Sequence, residues 1–419
     1  MRNLSTTRAA LLAAPLSLLV LLAPLPGRAQ ETVRPAVGKP LEAAKADLAR
    51  HEFAKASDEV ARAEHVRDRS AYEDFLIEEM KGAIAQQSGD TDTATAVYAK
   101  VIASGRVTGA QLQSLLLAEV SMNYQEKNYA NVITWSQKYY KAGGKNPVVR
   151  TLVIQSYYLQ RDYANAAQLQ SQVIDEDLAA KKTPPEDQLQ LLAACQKALH
   201  QSAEMTKTME LLVTYYPKQS YWADLVYAVQ TTPGFSDRLD LGLDLFKLRV
   251  GLLTTEPQFM EAIQIALGDN DPGTALQFIA DAESAHLFGK PGYADRENRL
   301  IALAKTQATS AQAALAATYK QLTASPATTA QQLYDLGRQY CGFKQYDRGT
   351  QLIEMALAKG GLPRPDMARL RLAEAYITAG EKPQAIEALN AVPSSTDGTS
   401  GLARLWLLWL KTQASLSPA

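Results

Sequence analysis

The sequence repeats itself at an interval of 34 residues, since the tripeptide Tyr-Ala-Asn begins at Tyr129 and again at Tyr163. Prolines mark a similar interval over a longer stretch, with a mean spacing of 36 residues: Pro147, Pro184, Pro217, Pro257, Pro291, Pro326 and Pro363. Further prolines stand near the middle of some segments, for example Pro233 and Pro272. Proline is tolerated in loops and in the first turn of a helix but not in a helix interior. Two proline zones per segment therefore predict two helices per segment, each of about four turns.

The apolar residues agree with this assignment. In the segment 363–398, Leu370, Ala373 and Tyr376 recur at helical spacing, and no segment shows the sustained alternation of a strand. The chain is therefore predicted to be all-α. One helical hairpin cannot bury its own apolar stripe, so successive hairpins are expected to stack and share a continuous core.

Small residues recur where the two helices of a unit would approach closely. They are Gly82, Gly337 and Ala373 on first helices, and Ala56, Ala94, Ala166, Ala275 and Ala385 on second helices. With the large apolar residues between them, these positions resemble the tetratricopeptide (TPR) repeat. The resemblance implies a right-handed α-solenoid of about ten TPR-like hairpins over residues 41–413. It is good in 147–183, 326–362 and 363–398, and weaker in 217–256 and 291–325, where helices are still expected.

The N-terminus has the pattern of a secretory signal peptide. Arg2 and Arg8 precede the apolar run LLAAPLSLLVLLAPLPG. The small residues Gly27 and Ala29 stand three positions and one position before a possible cleavage site. This pattern predicts a signal peptide over 1–29 that is cut after Ala29. A retained anchor is the alternative, but the longest run without proline, Leu16 to Ala23, is shorter than the ~20 residues of a membrane span. The mature chain is expected in the periplasm or outside the cell, with a linker at 30–40 and a disordered tail at 414–419.

Charge and cysteine content limit the possible partners. Without Arg2, Arg8 and Arg28 the chain has 40 basic and 44 acidic residues, a net charge of −4. That balance gives no reason to expect nucleic acid or an anionic membrane as partner. Cys195 and Cys341 lie in apolar helical patterns and are interpreted as small buried hydrophobic residues.

No motif for catalysis, a metal or a cofactor is found in the sequence. The four histidines are far apart, and HExxH, CxxC, Walker, GxSxG and GxGxxG sequences are absent. The segment LGDNDPG resembles a calcium loop, but its twelfth position is Ala280, where a Glu ligand is needed. It is interpreted as a turn between helices. We expect no enzyme activity and no cofactor, although catalytic residues can also be distant in sequence.

Three stretches resemble a narrower group of proteins. They are TYYPKQSYWADL (214–225), EMALAKGGLPRPDMARLRLAEAYITAGEKPQAIEALNAV (354–392) and DGTSGLARLWLLW (397–409). They are similar to exported proteobacterial TPR proteins that are associated with TonB-type energy-transduction systems. The resemblance implies a periplasmic interaction protein without catalysis, which reaches a membrane only through a partner.

The TPR resemblance also implies where a ligand binds, because the first helix of each hairpin forms the inner wall of the superhelix. The expected groove contacts are Tyr124, Gln155, Tyr158, Tyr334, Arg338 and Glu374. Eleven of the 19 tyrosines lie between residues 124 and 227, where they serve either as core or as groove. The expected ligand is a protein or peptide segment, and the alternative is a glycan or small solute.

The last helix, GLARLWLLWLKTQ, contains five consecutive apolar residues from Trp406 to Leu410. This is more than one buried stripe needs. Docking against the last unit as a cap is the favoured interpretation, and an exposed surface for a partner is the alternative. The preceding SSTDGTSG (394–401) is expected to be a flexible hinge.

Overall fold

The computed structural model describes residues 31–289 and 294–416, and these residues form α-helices, one short 3-10 helix and no strand. The first ten α-helices are α1 (Pro35–Ala49), α2 (Phe53–Glu64), α3 (Ala71–Ser88), α4 (Thr91–Ala103), α5 (Gly109–Gln125), α6 (Tyr129–Lys141), α7 (Pro147–Leu159), α8 (Tyr163–Ala179), α9 (Glu186–Ala198) and α10 (Ser202–Tyr215). The others are α11 (Gln219–Gln230), α12 (Asp240–Arg249), α13 (Glu256–Gly268), α14 (Pro272–Ser284), α15 (Ala294–Ala324), α16 (Ala330–Gly342), α17 (Tyr346–Lys359), α18 (Pro365–Ala379), α19 (Lys382–Asn390) and α20 (Thr399–Leu416). The prediction of an all-α chain of helical hairpins is confirmed.

The chain divides into two compact units at Gln170 and Ser171, inside α8. Unit 1 ends at Gln170 and unit 2 begins at Ser171. Within the described residues no helix is both long enough and apolar enough to cross a membrane. The proposed signal peptide at 1–29, with its cleavage site, lies outside the described residues and stays a prediction.

Unit 1 is a stack of helical hairpins. Each helix from α1 to α6 packs against the next one along the chain, and the first helices of neighbouring hairpins also touch, α1 against α3 and α5 against α7. The small residues predicted at close approaches are confirmed here. A Cβ on Gly82 would come within 2.4 Å of the Tyr98 ring, and Ala56, Ala94 and Ala166 are fully buried. Glycine or alanine is needed because nothing larger fits between the two helices of a hairpin.

The turns within the hairpins share one backbone feature, and most of them are two or three residues long. Each has a single residue in the left-handed region, where the chain reverses after the first helix. Where that residue is not glycine, it is His51, Lys127, Arg161, His200, Asn270 or Lys344, with φ between 54° and 62°. Lys127 and Arg161 are 34 residues apart, so the turn repeats with the helices.

Two boundaries differ from the sequence-based predictions. The helical region begins at Pro35, so the proposed linker at 30–40 is mostly helix. Pro40 disfavours a helix locally, but burial of Val37 and Leu41 compensates for it. The proposed tail at 414–419 is helical as far as Leu416.

Residues 291–325 were expected to hold a pair of helices, and this is wrong. The single helix α15 runs for 31 residues, so the described helices form nine successive pairs with α15 and α20 standing alone. The reason lies in the composition of α15, which contains neither proline nor glycine and is rich in alanine. Nothing in this stretch breaks the helix.

Unit 2 is also built from stacked hairpins, and in addition its last helix, α20, packs against helices from both ends of the unit. This helix packs against α19 and α18 and also against α10, α11 and α12, which lie far earlier in the sequence. Trp406 and Leu402 are 2% and 0% exposed. The interpretation of the last helix as a docked element is confirmed.

The segment before α20 is anchored, so the expected flexible hinge is wrong. The Asp397 carboxylate accepts hydrogen bonds from both Arg238 and Arg364, and the Ser236 amide donates to the Asp397 carbonyl oxygen at 3.1 Å. These bonds fix the loop to the segment that connects α11 to α12. A polar composition indicated flexibility, but the polar groups hold the loop in place.

Candidate functional site

The six predicted groove residues occupy two different environments. Tyr124, Gln155 and Tyr158 lie half-buried at the surface of unit 1. The other three, from α16 and α18, lie in the interior of unit 2. The structure therefore does not place all six on one open wall, and each group has its own chemistry.

The surface group belongs to matching faces of α5 and α7. Successive residues of an α-helix are rotated by about 100° around its axis. By this geometry five residues of α7 lie on one side of the helix, within an arc of about 100°. The five residues that precede them by 34 positions lie on the corresponding side of α5. These ten residues are partly or fully exposed and none is charged: Ser114, Leu117, Ser121, Tyr124, Gln125, Val148, Thr151, Gln155, Tyr158 and Leu159. We refer to them as the α5–α7 face.

A hydrogen bond joins the two helices across this face. The Tyr124 hydroxyl donates to Oε1 of Gln155 at 2.7 Å. The Tyr124 ring also makes an edge contact with Tyr129, and Tyr158 makes the equivalent contact with Tyr163, at centroid distances of 5.8 and 5.6 Å. The two tyrosines are therefore held in fixed orientations before any ligand binds.

The tyrosine-rich stretch divides between core and surface. Tyr139, Tyr221 and Trp222 are buried, whereas Tyr140 and Tyr227 are exposed, at 43% and 67%. Some of these aromatic residues therefore belong to the core, and others lie at the surface, where a ligand can reach them. Sequence spacing alone could not separate them, because tyrosine suits both environments.

A buried acid lies on α5, on the side of the helix opposite the α5–α7 face. Glu119 of α5 is 1% exposed, and Asn123 donates to its Oε2 at 3.0 Å, while Oε1 is buried without a partner among the described residues. Burial raises the pKa of Glu119 to about 7, although Asn123 and Lys138 act in the opposite direction. Sequence patterns gave no sign of this group, which occupies a core position of the helix.

We expect Glu119→Gln to remove a pH-dependent loss of stability in unit 1. Below about pH 4.5 the carboxyl is protonated in both the folded and the unfolded chain, so it makes no difference. As the pH rises to about 7, only the unfolded chain ionises, and the free energy of unfolding falls. Above pH 7 the variant should be more stable by about 3 kcal/mol. Hydrogen exchange of the α5 amides from pH 4 to 8 measures this, and a gain independent of pH would contradict it.

The other three predicted groove residues are interior, which corrects their assignment. Tyr334 and Glu374 are 9% and 7% exposed, and the Arg338 side chain is 15% exposed. The Arg338 guanidinium lies over the Tyr334 ring, 5.6 Å from its centroid. The TPR alignment places them on the inner side of their helices, but other helices of unit 2 cover that side. A Cβ added at Gly242 of α12 would lie 2.9 Å from Glu374.

The turn LGDNDPG (267–273) lies beside these buried residues of unit 2. Asp271 caps α14, with its Oδ1 accepting from the Thr274 amide at 3.1 Å, which supports the interpretation as a turn. A Cβ at Gly273 of α14 would lie 2.5 Å from the Gly342 backbone of α16, so the two helices meet through backbone. Gln277 strengthens the contact by donating to the Gly342 carbonyl oxygen at 2.6 Å.

These parts of unit 2 line a polar cavity of about 60 Å³. Its polar lining includes Asp271, Arg338, Cys341, Arg371 and Glu374. Nη1 of Arg371 donates to Oε2 of Glu374 at 2.8 Å. Burial raises the pKa of Glu374, and Arg371 opposes this rise. Burial also raises the pKa of the Cys341 thiol to about 12, so it is no nucleophile at neutral pH.

Metal chemistry has no support among the residues described. No group of three or more His, Cys, Asp or Glu side chains in 31–289 and 294–416 is arranged to hold a metal ion. Cys195 is fully buried and Cys341 partly buried, and neither forms a disulfide. What the two sites offer is recognition through shape, aromatic contact and hydrogen bonds.

Comparisons with known proteins give only distant likenesses. No protein-family model matches this sequence, and no curated protein matches it. Among solved structures, the TPR2AB domain–pHSP90 complex of yeast Sti1 has 12% identity, covers 73% of this chain and all of that one, and has a TM-score of 0.24. The P58(IPK) TPR domain has 14% identity, coverage of 91% and 99%, and a TM-score of 0.23. Yeast Tom70 has 12% identity, coverage of 91% and 97%, and a TM-score of 0.24. At these values the fold assignment depends on the chain's own helix pairs.

Proposed function

We propose that this chain is a non-enzymatic adaptor that binds a protein or peptide segment on the α5–α7 face. The observation that carries the proposal is the hydrogen bond from Tyr124 to Gln155, which joins two uncharged, partly exposed helix faces into one surface. Such a surface desolvates at low cost, and its tyrosines supply contact area together with hydrogen-bonding hydroxyls.

Exposed aliphatic residues favour a protein ligand over the alternative, a glycan or small solute. Val148 is 42% exposed and Leu159 is 48% exposed, near opposite ends of α7. Both suit apolar side chains spaced along a peptide, whereas sugars are bound mainly through aromatic rings and hydrogen bonds. Trp222 belongs to unit 2 and is buried, so it does not report sugar binding on this face. Trp135 of α6 lies in unit 1 and is partly exposed, so its fluorescence is the one to follow.

Photo-crosslinking tests the adaptor function. A photoreactive phenylalanine analogue replaces Tyr158 on the face or, as a control, exposed Gln168 of α8. We expect Tyr158 alone to trap one reproducible protein. Adding Leu159→Asp should abolish the crosslink by placing a charge in the apolar contact, while Tyr140→Asp, at another exposed aromatic residue, should leave it intact.

Two results would contradict the proposal. One is equal crosslinking from Tyr158 and Gln168, and the other is a crosslink that survives Leu159→Asp. If instead no protein is trapped and sugars quench Trp135, the glycan alternative is supported.

The export of the chain is part of the same proposal. The pattern of residues 1–29 supports cleavage after Ala29 and a periplasmic or secreted protein. The resemblance of 214–225, 354–392 and 397–409 to exported TPR proteins supports an accessory role in a TonB-type envelope system. The mass of the protein purified from cells tests the cleavage, and a TonB-type component in the Tyr158 crosslink tests the accessory role.

A further inference from the structure

The polar cavity of unit 2 is lined by hydrogen-bond donors that have no acceptor in the part of the chain that the structure describes. Arg371 is 8% exposed, and its Nη1 is taken by Glu374. Its Nε and Nη2 are buried and have no partner among the described residues, and the same is true of Nε of Arg338. A buried donor without an acceptor costs about 1–3 kcal/mol, and more when it is charged. Three such donors beside one cavity indicate that a hydrogen-bond acceptor binds in it.

Their geometry specifies what that acceptor is. Nε and Nη2 form one edge of the guanidinium group, and this edge holds two oxygens at once. The same edge holds a carboxylate at Arg34, Arg364 and Arg404 among the described residues. Arg34 donates through Nε and Nη2 to the two oxygens of Glu73, at 3.0 and 2.8 Å. Arg364 holds Asp366 in the same way, at 3.1 and 2.8 Å. In Arg371 the same edge has no carboxylate partner among residues 31–289 and 294–416.

The cavity has room for a small molecule. One water needs about 10–15 Å³ of such space, so about 60 Å³ accepts a group of four or five heavy atoms. The lining also includes Thr378, which is exposed, so the cavity reaches the surface of unit 2.

The neighbouring carboxyl groups do not bind this edge. Asp271 accepts hydrogen bonds from the amide and the hydroxyl of Thr274. Oε2 of Glu374 accepts from Nη1 of Arg371, while Oε1 of Glu374 is buried without a partner among the described residues. The backbone carbonyl of Asp269 accepts from Nη2 of Arg338. None of these groups satisfies the Nε–Nη2 edge of Arg371.

We propose that this cavity binds one small oxyanion, a free carboxylate or a phosphate-like ion, on the Nε–Nη2 edge of Arg371 with help from Nε of Arg338. The two chemistries share the pair of oxygens that the edge requires. Water is the competing occupant, since it could also satisfy the donors. The site is in unit 2 and independent of the α5–α7 face, so either proposal can fail without the other.

Ligand-observed NMR of ¹³C-acetate with the purified full chain tests the proposal. We expect saturable broadening of the acetate signal, reversed by phosphate but not by chloride at equal ionic strength, because a single-atom ion cannot span the edge. Whichever of acetate and phosphate binds more tightly identifies the ligand class. If no saturable binding is seen with either ion, the cavity holds water and the proposal is overturned.

Two variants locate the binding. Arg371→Lys keeps the charge but removes the two-donor edge, so affinity should fall at least about tenfold. Ala375→Leu should abolish binding by filling the cavity, which Ala375 lines at 5% exposure. Binding unchanged in both would place the ion elsewhere and overturn the proposal. If both variants lose their helical circular dichroism, the anomalous signal of selenate in crystals of the unmodified chain decides, since selenate away from Arg371 overturns the proposal equally.

Discussion

Replacing Trp406 by alanine should destabilise unit 2 by about 3–5 kcal/mol. Trp406 is 2% exposed, and its ring meets Phe246 edge to face at a centroid distance of 4.9 Å. Phe246 in turn meets Trp222 at 5.6 Å. The substitution leaves a cavity at the point where α20 joins α11 and α12, which are far from it in sequence. Loss of the Trp406 ring should therefore free the whole of α20 from its contacts with α11 and α12.

Denaturant unfolding followed by circular dichroism and hydrogen exchange of α20 measures this effect. Tyr227→Ala is the matched control, because Tyr227 is also an aromatic residue of unit 2 but is 67% exposed; it should change stability by less than about 0.5 kcal/mol. A similarly small effect of Trp406→Ala would mean that this ring does not hold α20 in place.

The features encoded locally were predictable from the sequence. Proline spacing gave the helix pairs, and small residues such as Gly82 and Gly337 gave the close approaches. At Gly337 an added Cβ would lie 2.8 Å from the Ile353 side chain. These features repeat with the chain, so a single sequence contains several examples of each. The single helix α15 was missed because the repeat was extended over a stretch that has no helix-breaking residue.

Contacts between distant parts of the chain were not predictable in this way. Arg404 of α20 pairs with Glu210 of α10 across 194 residues, and nothing in either segment indicates the other. The same limit applies to the candidate site. The TPR resemblance placed Arg338 and Glu374 on the inner sides of their helices, but it could not show that other helices cover them. On unit 1 the resemblance placed Tyr124 and Tyr158 at the surface, where their role in binding stays a prediction.

Breaking the buried ion pair of Arg371 and Glu374 should also lower the free energy of unfolding of unit 2 by a large amount. The two residues are 8% and 7% exposed and are joined by a 2.8 Å ion pair. Arg371→Met would leave the Glu374 carboxyl buried without its cation, at an expected cost of about 3–5 kcal/mol. The double variant Arg371→Met, Glu374→Leu removes both charges and keeps a similar side-chain volume, so it should recover most of that loss.

Equilibrium unfolding of the wild type, both single variants and the double variant gives the coupling energy of the pair. Lys218→Met is the control, since Lys218 and Glu186 form an ion pair whose side chains are 58% and 24% exposed, and its loss should cost less than about 1 kcal/mol. If the double variant is as unstable as Arg371→Met, the cost does not come from an uncompensated charge. The pair would then be required as a unit, for shape or for the hydrogen bond, because apolar side chains of similar volume could not replace it.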